Sequence, residues 1–166
     1  MFTKAQPTPA YAIEVDGLCK NYPSFSLQDV SLHLESGSIM GFIGENGAGK
    51  STTIKAILGL LHTDSGRIRL FGEDAAANGR RLKEDIGVVF DECHFHDTLT
   101  AKLIGTFMKG IYHNWDMSVY LDYLRRFSLP ADKMVKELSR GMKMKLAIAC
   151  ALSHRPKLLI LDEATS

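Results

Sequence analysis

The spacing of hydrophobic and polar positions changes period along this chain, and each change predicts an element. Residues 12–15 and 28–34 read as short strands. In the second, Val30, Leu32 and Leu34 point one way and Ser31 and His33 the other. Residues 1–11, with Pro7 and Pro9, read as a loose leader. The apolar run 39–43 (IMGFI) predicts a strand, and 50–61 predicts a helix leaving it. Residues 63–66 form a turn, 67–71 a strand broken at Gly72, and 78–83 a short polar helix. The β-branched run 86–90 predicts a buried strand ending in Asp91-Glu92.

From 100 to 127 the period is helical. Leu103, Phe107 and Ile111 fall four apart, with Ile104 and Met108 beside them. Asp116 is placed to cap a second helix, whose Tyr120, Tyr123, Leu124 and Phe127 share one face and predict core packing rather than ligand contact. Pro130 ends this helical insertion. A third helix opens at Ser139 and runs to about 154. Beyond Pro156, the stretch KLLILD (157–162) predicts a buried parallel strand with Asp162 and Glu163 at its C-terminal end.

Composition narrows the class. The 166 residues are 45% hydrophobic and 23% charged, ordinary values for a globular domain with a real core. Twenty basic residues stand against nineteen acidic ones, so no net basic excess argues for nucleic acid, and none is expected as a partner. No apolar run approaches the roughly 20 residues a membrane helix needs, and the first residues lack an apolar signal core. Membrane contact is therefore expected through a partner, with no transmembrane segment of the chain's own. Cys19, Cys93 and Cys150 are odd in number and widely spaced, which suggests reduced thiols in the cytoplasm.

The densest chemistry lies between two of the predicted elements. Gly44, Glu45, Asn46, Gly47, Ala48, Gly49, Lys50 and Ser51 fit the phosphate-loop pattern G-x-x-x-x-G-K-[ST] between a strand-like and a helix-like run. Glycines there let successive backbone N–H groups turn toward phosphate oxygens, and the helix adds the positive end of its dipole. Lys50 would charge-pair with the β/γ-phosphates and the Ser51 hydroxyl would reach Mg²⁺. Tyr22, beside Pro23, offers a ring to a flat base or to loop packing. Ser139 with Arg140, Lys143 and Lys145 is either a second anion site or a capped helix with a solvated basic face. With a phosphate loop present, Asp162 is expected in the Mg²⁺ shell and Glu163 is placed to deprotonate an attacking water. The Cys93-His94-Phe95-His96 stretch fits no usual zinc spacing and reads as a solvated loop.

In order, Tyr22, GENGAGKST, a strand ending at Asp91, helices, LSRGM and LLILDEATS resemble the ATP-binding subunit of ABC transporters over about residues 12–166, closest to bacterial exporter-type subunits. The resemblance implies an α/β P-loop NTPase with an N-terminal antiparallel β portion and a helical subdomain. The β portion and P-loop core would span 1–98, the helical subdomain 99–138, and the signature helix and Walker B strand 139–166. It implies Tyr22 as the ring stacking on adenine and Gly44 to Thr52 as Walker A. Ser139, Arg140 and Gly141 would be signature positions facing a second subunit's ATP, Asp162 the Walker B aspartate and Glu163 the catalytic base. ATP and Mg²⁺ would be bound between head-to-tail subunits, as a homodimer or with another ATP-binding subunit. A membrane permease would be driven from the inner face of the cell membrane, where the chain would be peripheral. A soluble ABC-type ATPase acting on nucleic acid or ribosomes, or a non-hydrolysing nucleotide-binding module, are the competing readings. No N-K-x-D motif favours a GTPase.

The chain departs from the family pattern at three points. LSRGM stands for the usual LSGGQ, so Arg140 either adds a charged contact to phosphate or points into solvent. The family continues past Walker B with a D-loop, another strand and a switch histidine, so the expectation is a fragment of a longer protein that turns over ATP poorly alone. Asp91 stands where a glutamine is usual, and a metal-ligand role there brings a carboxylate close to the γ-phosphate. The wild type should accordingly show a steeper Mg²⁺ requirement for nucleotide binding than Asp91→Asn. Equal Mg²⁺ midpoints in a titration of the two proteins would refute a metal-linked role for this carboxylate.

Overall fold

The computed structural model describes residues 9–162, and the chain packs as two compact units, Met1–Leu82 and Lys83–Ser166. The leader read over 1–11 and the Glu163 side chain fall largely or wholly outside the described residues.

The first unit is built on a hairpin. Strands β1 (Tyr11–Tyr22) and β2 (Phe25–Glu35) pair antiparallel, with Val15 opposite Leu32 and Tyr22 opposite Phe25. Both run longer than their apolar patterns predict, because a ladder partner satisfies backbone groups whatever the side chains are. Lys20, Asn21 and Tyr22, which read as a connection, are thereby strand residues. After the phosphate loop comes helix α1 (Lys50–Ile57), then strand β3 (Ser65–Leu70), which pairs with β1 on its other side, and the short β4 (Glu73–Asp74). The sheet order is β2-β1-β3-β4. Ala12, Ile13, Val15, Leu18, Leu27 and Leu70 are its buried apolar side chains. Helix α1 stops short of the predicted Leu61, since the backbone turns left-handed at Gly59. Helix α2 (Ala75–Leu82) starts earlier than its polar pattern suggests, because the Asp74 carboxylate accepts from the Ala76 and Ala77 N–H groups at 2.9 and 3.3 Å.

One strand expectation fails. Residues 39–43 belong to no ladder among the described residues, and Ile39 and Ile43 are 100% and 95% exposed. Apolar sequence alone does not make a strand. Its N–H and C=O groups need a neighbour, and no described segment supplies one.

In the second unit, β5 (Ile86–Val89) and β6 (Leu158–Leu161) pair in parallel, Ile86 opposite Leu158 and Val89 opposite Leu161. The sequence reads β6 as fully buried. In the structure Leu158 and Ile160 are covered while Leu159 and Leu161 are exposed, because only one face of this two-stranded ribbon meets packed side chains within the unit. Helices α3 (Ala101–Ile111), α4 (Met117–Arg126) and α5 (Arg140–Leu152) surround a core of Ala101, Ile104, Trp115, Tyr120, Leu124 and Leu146 with their neighbours. Asp116 caps α4 as expected, accepting from Ser118 N and Val119 N, and its other oxygen takes the Arg155 guanidinium at 2.8 Å. On α3 the buried side is Ala101, Ile104 and Gly105, while Leu103, Phe107 and Ile111 face outward. His154 is buried, stacked on Tyr112 with ring centroids 4.0 Å apart, with Nε2 3.1 Å from the Ile86 carbonyl oxygen. Burial holds its pKa below the usual imidazole value, so the ring sits there neutral.

Helix α3 crosses α4 at a residue without a side chain. A Cβ on Gly105 would stand 2.5 Å from Cε1 of Tyr120, a ring buried completely and anchored by its hydroxyl donating to the Ala101 carbonyl at 2.7 Å. That anchor prevents the ring from swinging away. Gly105→Ala should therefore cost about 1–3 kcal/mol despite alanine's better helix propensity. Urea unfolding of the two proteins checks it, and an unchanged or raised midpoint would show that the α3–α4 contact opens freely.

Candidate functional site

The phosphate loop is shaped by two left-handed glycines, Gly47 (φ 86°) and Gly49 (φ 93°). Between them and the strand-like approach, Ala48 N donates to the Glu45 carbonyl at 3.1 Å and closes a turn. Gly49 is buried, and a Cβ there would stand 2.7 Å from Leu27 Cδ1 and 3.0 Å from Phe25 Cζ. The β2 strand thus leaves room for a bare α-carbon and little more. Helix α1 begins at Lys50 immediately afterwards, and its first N–H groups face the loop. Thr53 Oγ1 donates back to the Gly49 carbonyl at 3.0 Å, tying the first turn to the loop.

The Lys50 ammonium bends over the loop and donates to the Gly44 and Glu45 carbonyls at 2.7 and 2.9 Å. Gly44 to Ala48 are exposed, and Ser51 and Thr52 are half-buried at the helix start. A lysine ammonium, a helix N-terminus and two hydroxyls make a donor set for a polyphosphate, with an oxygen ligand at Ser51 that suits a hard divalent cation. Tyr22 belongs to the same unit, 43% exposed at the end of β1 and stacked on Phe25 at 6.4 Å between centroids.

In the second unit, the strand pairing aligns the C-terminal ends of β5 and β6. Asp162 follows β6 directly, its N–H donating to the Val89 carbonyl at 2.9 Å, and Asp91 lies two residues beyond β5. The two carboxylates expected near the metal therefore share one sheet edge, where ligands of parallel sheets bind. Glu163 lies outside the described residues. Ser139 caps α5, its hydroxyl accepting from Met142 N at 3.3 Å. Arg140 is exposed and, with Lys143, lines a cavity of about 350 Å³ whose other side is Asp91, Glu92 and Cys93. The basic start of α5 thus faces the acidic end of β5, a juxtaposition the linear sequence does not display. A Cβ on Gly141 would meet nothing within 4 Å. Among the described residues no three His, Cys, Asp or Glu side chains converge as a metal-binding group.

Phe25 and Leu27, which shape the space at Gly49, and Asp64, whose carboxylate binds Lys20 and Asn21, escaped the sequence reading. A register shift near Asp29 (φ 47°) puts Leu27 out of phase with Val30, Leu32 and Leu34, so alternation does not mark it as inward-facing, and nothing local announces the other two.

The family model described as ABC transporter matches residues 27–166. The chain is 38% identical over 158 residues to the bacitracin transport ATP-binding protein BcrA of Bacillus licheniformis, covering 93% of this chain and 51% of that protein. It is 37% identical over 167 residues to the Nod factor export ATP-binding protein I of Paraburkholderia xenovorans, covering 95% and 54%. A solved ATP-binding subunit of an ABC transporter superposes with a TM-score of 0.83 at 30% identity, covering 93% of this chain and 67% of that one. The chain spans about half the length of the curated relatives it matches.

Proposed function

The chain belongs to the ABC transporter family, and on that premise we propose that it binds MgATP and that the longer protein hydrolyses it to drive transport through a separate permease. The observation that carries the reading is the phosphate loop, with left-handed Gly47 and Gly49 leading into α1 and Lys50 donating to the Gly44 and Glu45 carbonyls. The relatives whose names specify transport or export agree with it.

In this reading the loop amides and Lys50 bind the β- and γ-phosphates, and Tyr22 receives the adenine ring. Ser51, Asp162 and Asp91 are the oxygen ligands offered to Mg²⁺, which when bound neutralises charge on the phosphate oxygens. Glu163 takes a proton from the attacking water as it moves in line toward the γ-phosphorus. Positioning and charge neutralisation supply most of the rate.

The signature residues Ser139, Arg140 and Gly141 serve a nucleotide carried by a second subunit, in a head-to-tail homodimer or heterodimer. The open space around Gly141 supports this, since nothing within the unit requires a glycine there. The outward stripe of Leu103, Phe107 and Ile111 on α3 supports a protein partner on the helical segment, and a permease is the partner we assign. No described helix is long and apolar enough to cross a membrane. In this reading the chain is a peripheral subunit on the cytoplasmic face, where ATP is supplied. Exposed apolar side chains at Ile39, Ile43, Leu159 and Leu161 support weak turnover by these 166 residues alone, because a hydrolysing site needs its loop and strand ends held rigidly.

Glu163→Gln in the full-length protein should lower the hydrolysis rate about 100-fold or more while leaving ATP affinity within a few-fold, since a general base acts on the chemical step. Steady-state phosphate release beside equilibrium ATP binding checks it. An unchanged rate would remove Glu163 from the mechanism.

Purification of the full-length protein from its native membranes in mild detergent should bring down a polytopic membrane protein in fixed ratio. Recovery from the soluble fraction with ribosomes or nucleic acid would overturn the transport assignment and leave the ATP site standing.

A further inference from the structure

Tyr22 sits at the turn end of the β1–β2 hairpin, half exposed, where an aromatic ring would ordinarily sample several rotamers. Here two features fix the ring and the strand end that carries it. Phe25, its cross-strand partner, stacks on it with planes 29° apart, and the same Phe25 ring reaches the phosphate loop, ending 3.0 Å from where a Cβ on Gly49 would stand. One ring therefore touches both the base-stacking residue and the loop.

The second feature is Asp64, in the connection between α1 and β3. Its Oδ1 accepts from Lys20 Nζ at 2.9 Å, and its Oδ2 accepts from Asn21 N at 2.7 Å and Asn21 Nδ2 at 3.2 Å. Its own N–H donates to the Cys19 carbonyl at 2.9 Å. Asn21 is held in turn by Ser26 Oγ, which donates to its side-chain oxygen at 2.9 Å. Asp64 thus closes on three consecutive residues directly before Tyr22, its N–H on Cys19 and its carboxylate on Lys20 and Asn21. It also sets where the Lys20 ammonium lies, 5.6 Å from the centroid of the Tyr22 ring. The Lys20 hydrogen bond, followed by that of Asn21, holds the Asp64 pKa below the usual carboxylate value, so the clasp stays charged through the physiological range.

We infer that Phe25 and Asp64 are positioning residues for nucleotide base recognition, holding the Tyr22 ring preorganised at a fixed distance from the phosphate loop. The inference rests on the MgATP reading above. Neither residue need touch the nucleotide. Their effect is to remove rotamer and backbone freedom that base stacking would otherwise have to overcome. A positioning role of this kind acts on the base and leaves the phosphates alone, and that asymmetry separates it from a general role in stability.

The test is calorimetric titration of the full-length chain with MgATP and, separately, with magnesium tripolyphosphate, which carries the phosphates without the base. Phe25→Leu keeps an apolar wedge near Gly49 and removes the ring. Asp64→Ala removes the clasp. Each should weaken MgATP by about threefold to tenfold, the range expected for one aromatic contact. Each should leave tripolyphosphate within about twofold, and Phe25→Tyr should restore MgATP binding. If both variants keep the wild-type ratio of the two affinities, or lose both ligands in parallel, the positioning role is overturned. If the wild type itself binds tripolyphosphate no more weakly than MgATP, base recognition is absent, and the reading of Tyr22 falls together with this inference.

Discussion

A loop that binds polyphosphate through its backbone must turn several N–H groups toward one point, and L-residues with side chains resist that turn. Gly49 is where this constraint is tightest. Its φ of 93° needs a residue without a Cβ, and Leu27 and Phe25 of β2 fill the space that a Cβ would enter. The contact works in both directions. Leu27 closes on the loop at Gly49, and the loop in turn gives Phe25 a surface to rest on. Tyr22 is placed through that same ring, so the base-facing and phosphate-facing parts of the first unit share one packed contact.

The second unit obeys a different constraint, the register of two parallel strands. Pairing Val89 with Leu161 aligns their C-terminal ends, and Asp91 and Asp162 follow at once on the same edge. Around this ribbon the helices are fixed by caps and by one close crossing. Asp116 and Ser139 take up free N–H groups at the starts of α4 and α5, while Gly105 lets α3 approach the Tyr120 ring. The apolar core behind them leaves the start of α5 at the surface, where Arg140 and Lys143 confront Asp91 and Glu92 across a cavity.

Much of this was legible in the chain. The phosphate loop and the caps at Asp116 and Ser139 are local, because each depends on residues a few positions apart. The parallel strands β5 and β6 were readable from short apolar runs ending in carboxylates, and the helices from their period. Residues 39–43 show where such reading stops. Their apolar pattern is as strand-like as that of β5, yet β5 has a partner and they have none among the described residues. In α3 the four-residue spacing of Leu103, Phe107 and Ile111 correctly marks a face, but it is the outward one. Periodicity identifies a stripe without saying what covers it.

The sequence by itself determined the chemistry on offer: a phosphate-binding loop with its lysine and hydroxyl, an aromatic for a base, carboxylates at strand ends and a capped basic helix. These follow from residue types at short spacing, where backbone geometry leaves few alternatives. The tertiary structure alone decided what supports them. Asp64 reaches Lys20 and Asn21 across more than forty positions of chain, Phe25 and Leu27 close on Gly49 from another strand, and Asp91 and Arg140 line one cavity from separate elements. Such contacts depend on how pieces far apart in sequence pack together, and packing is a property of the assembled core that no local pattern encodes.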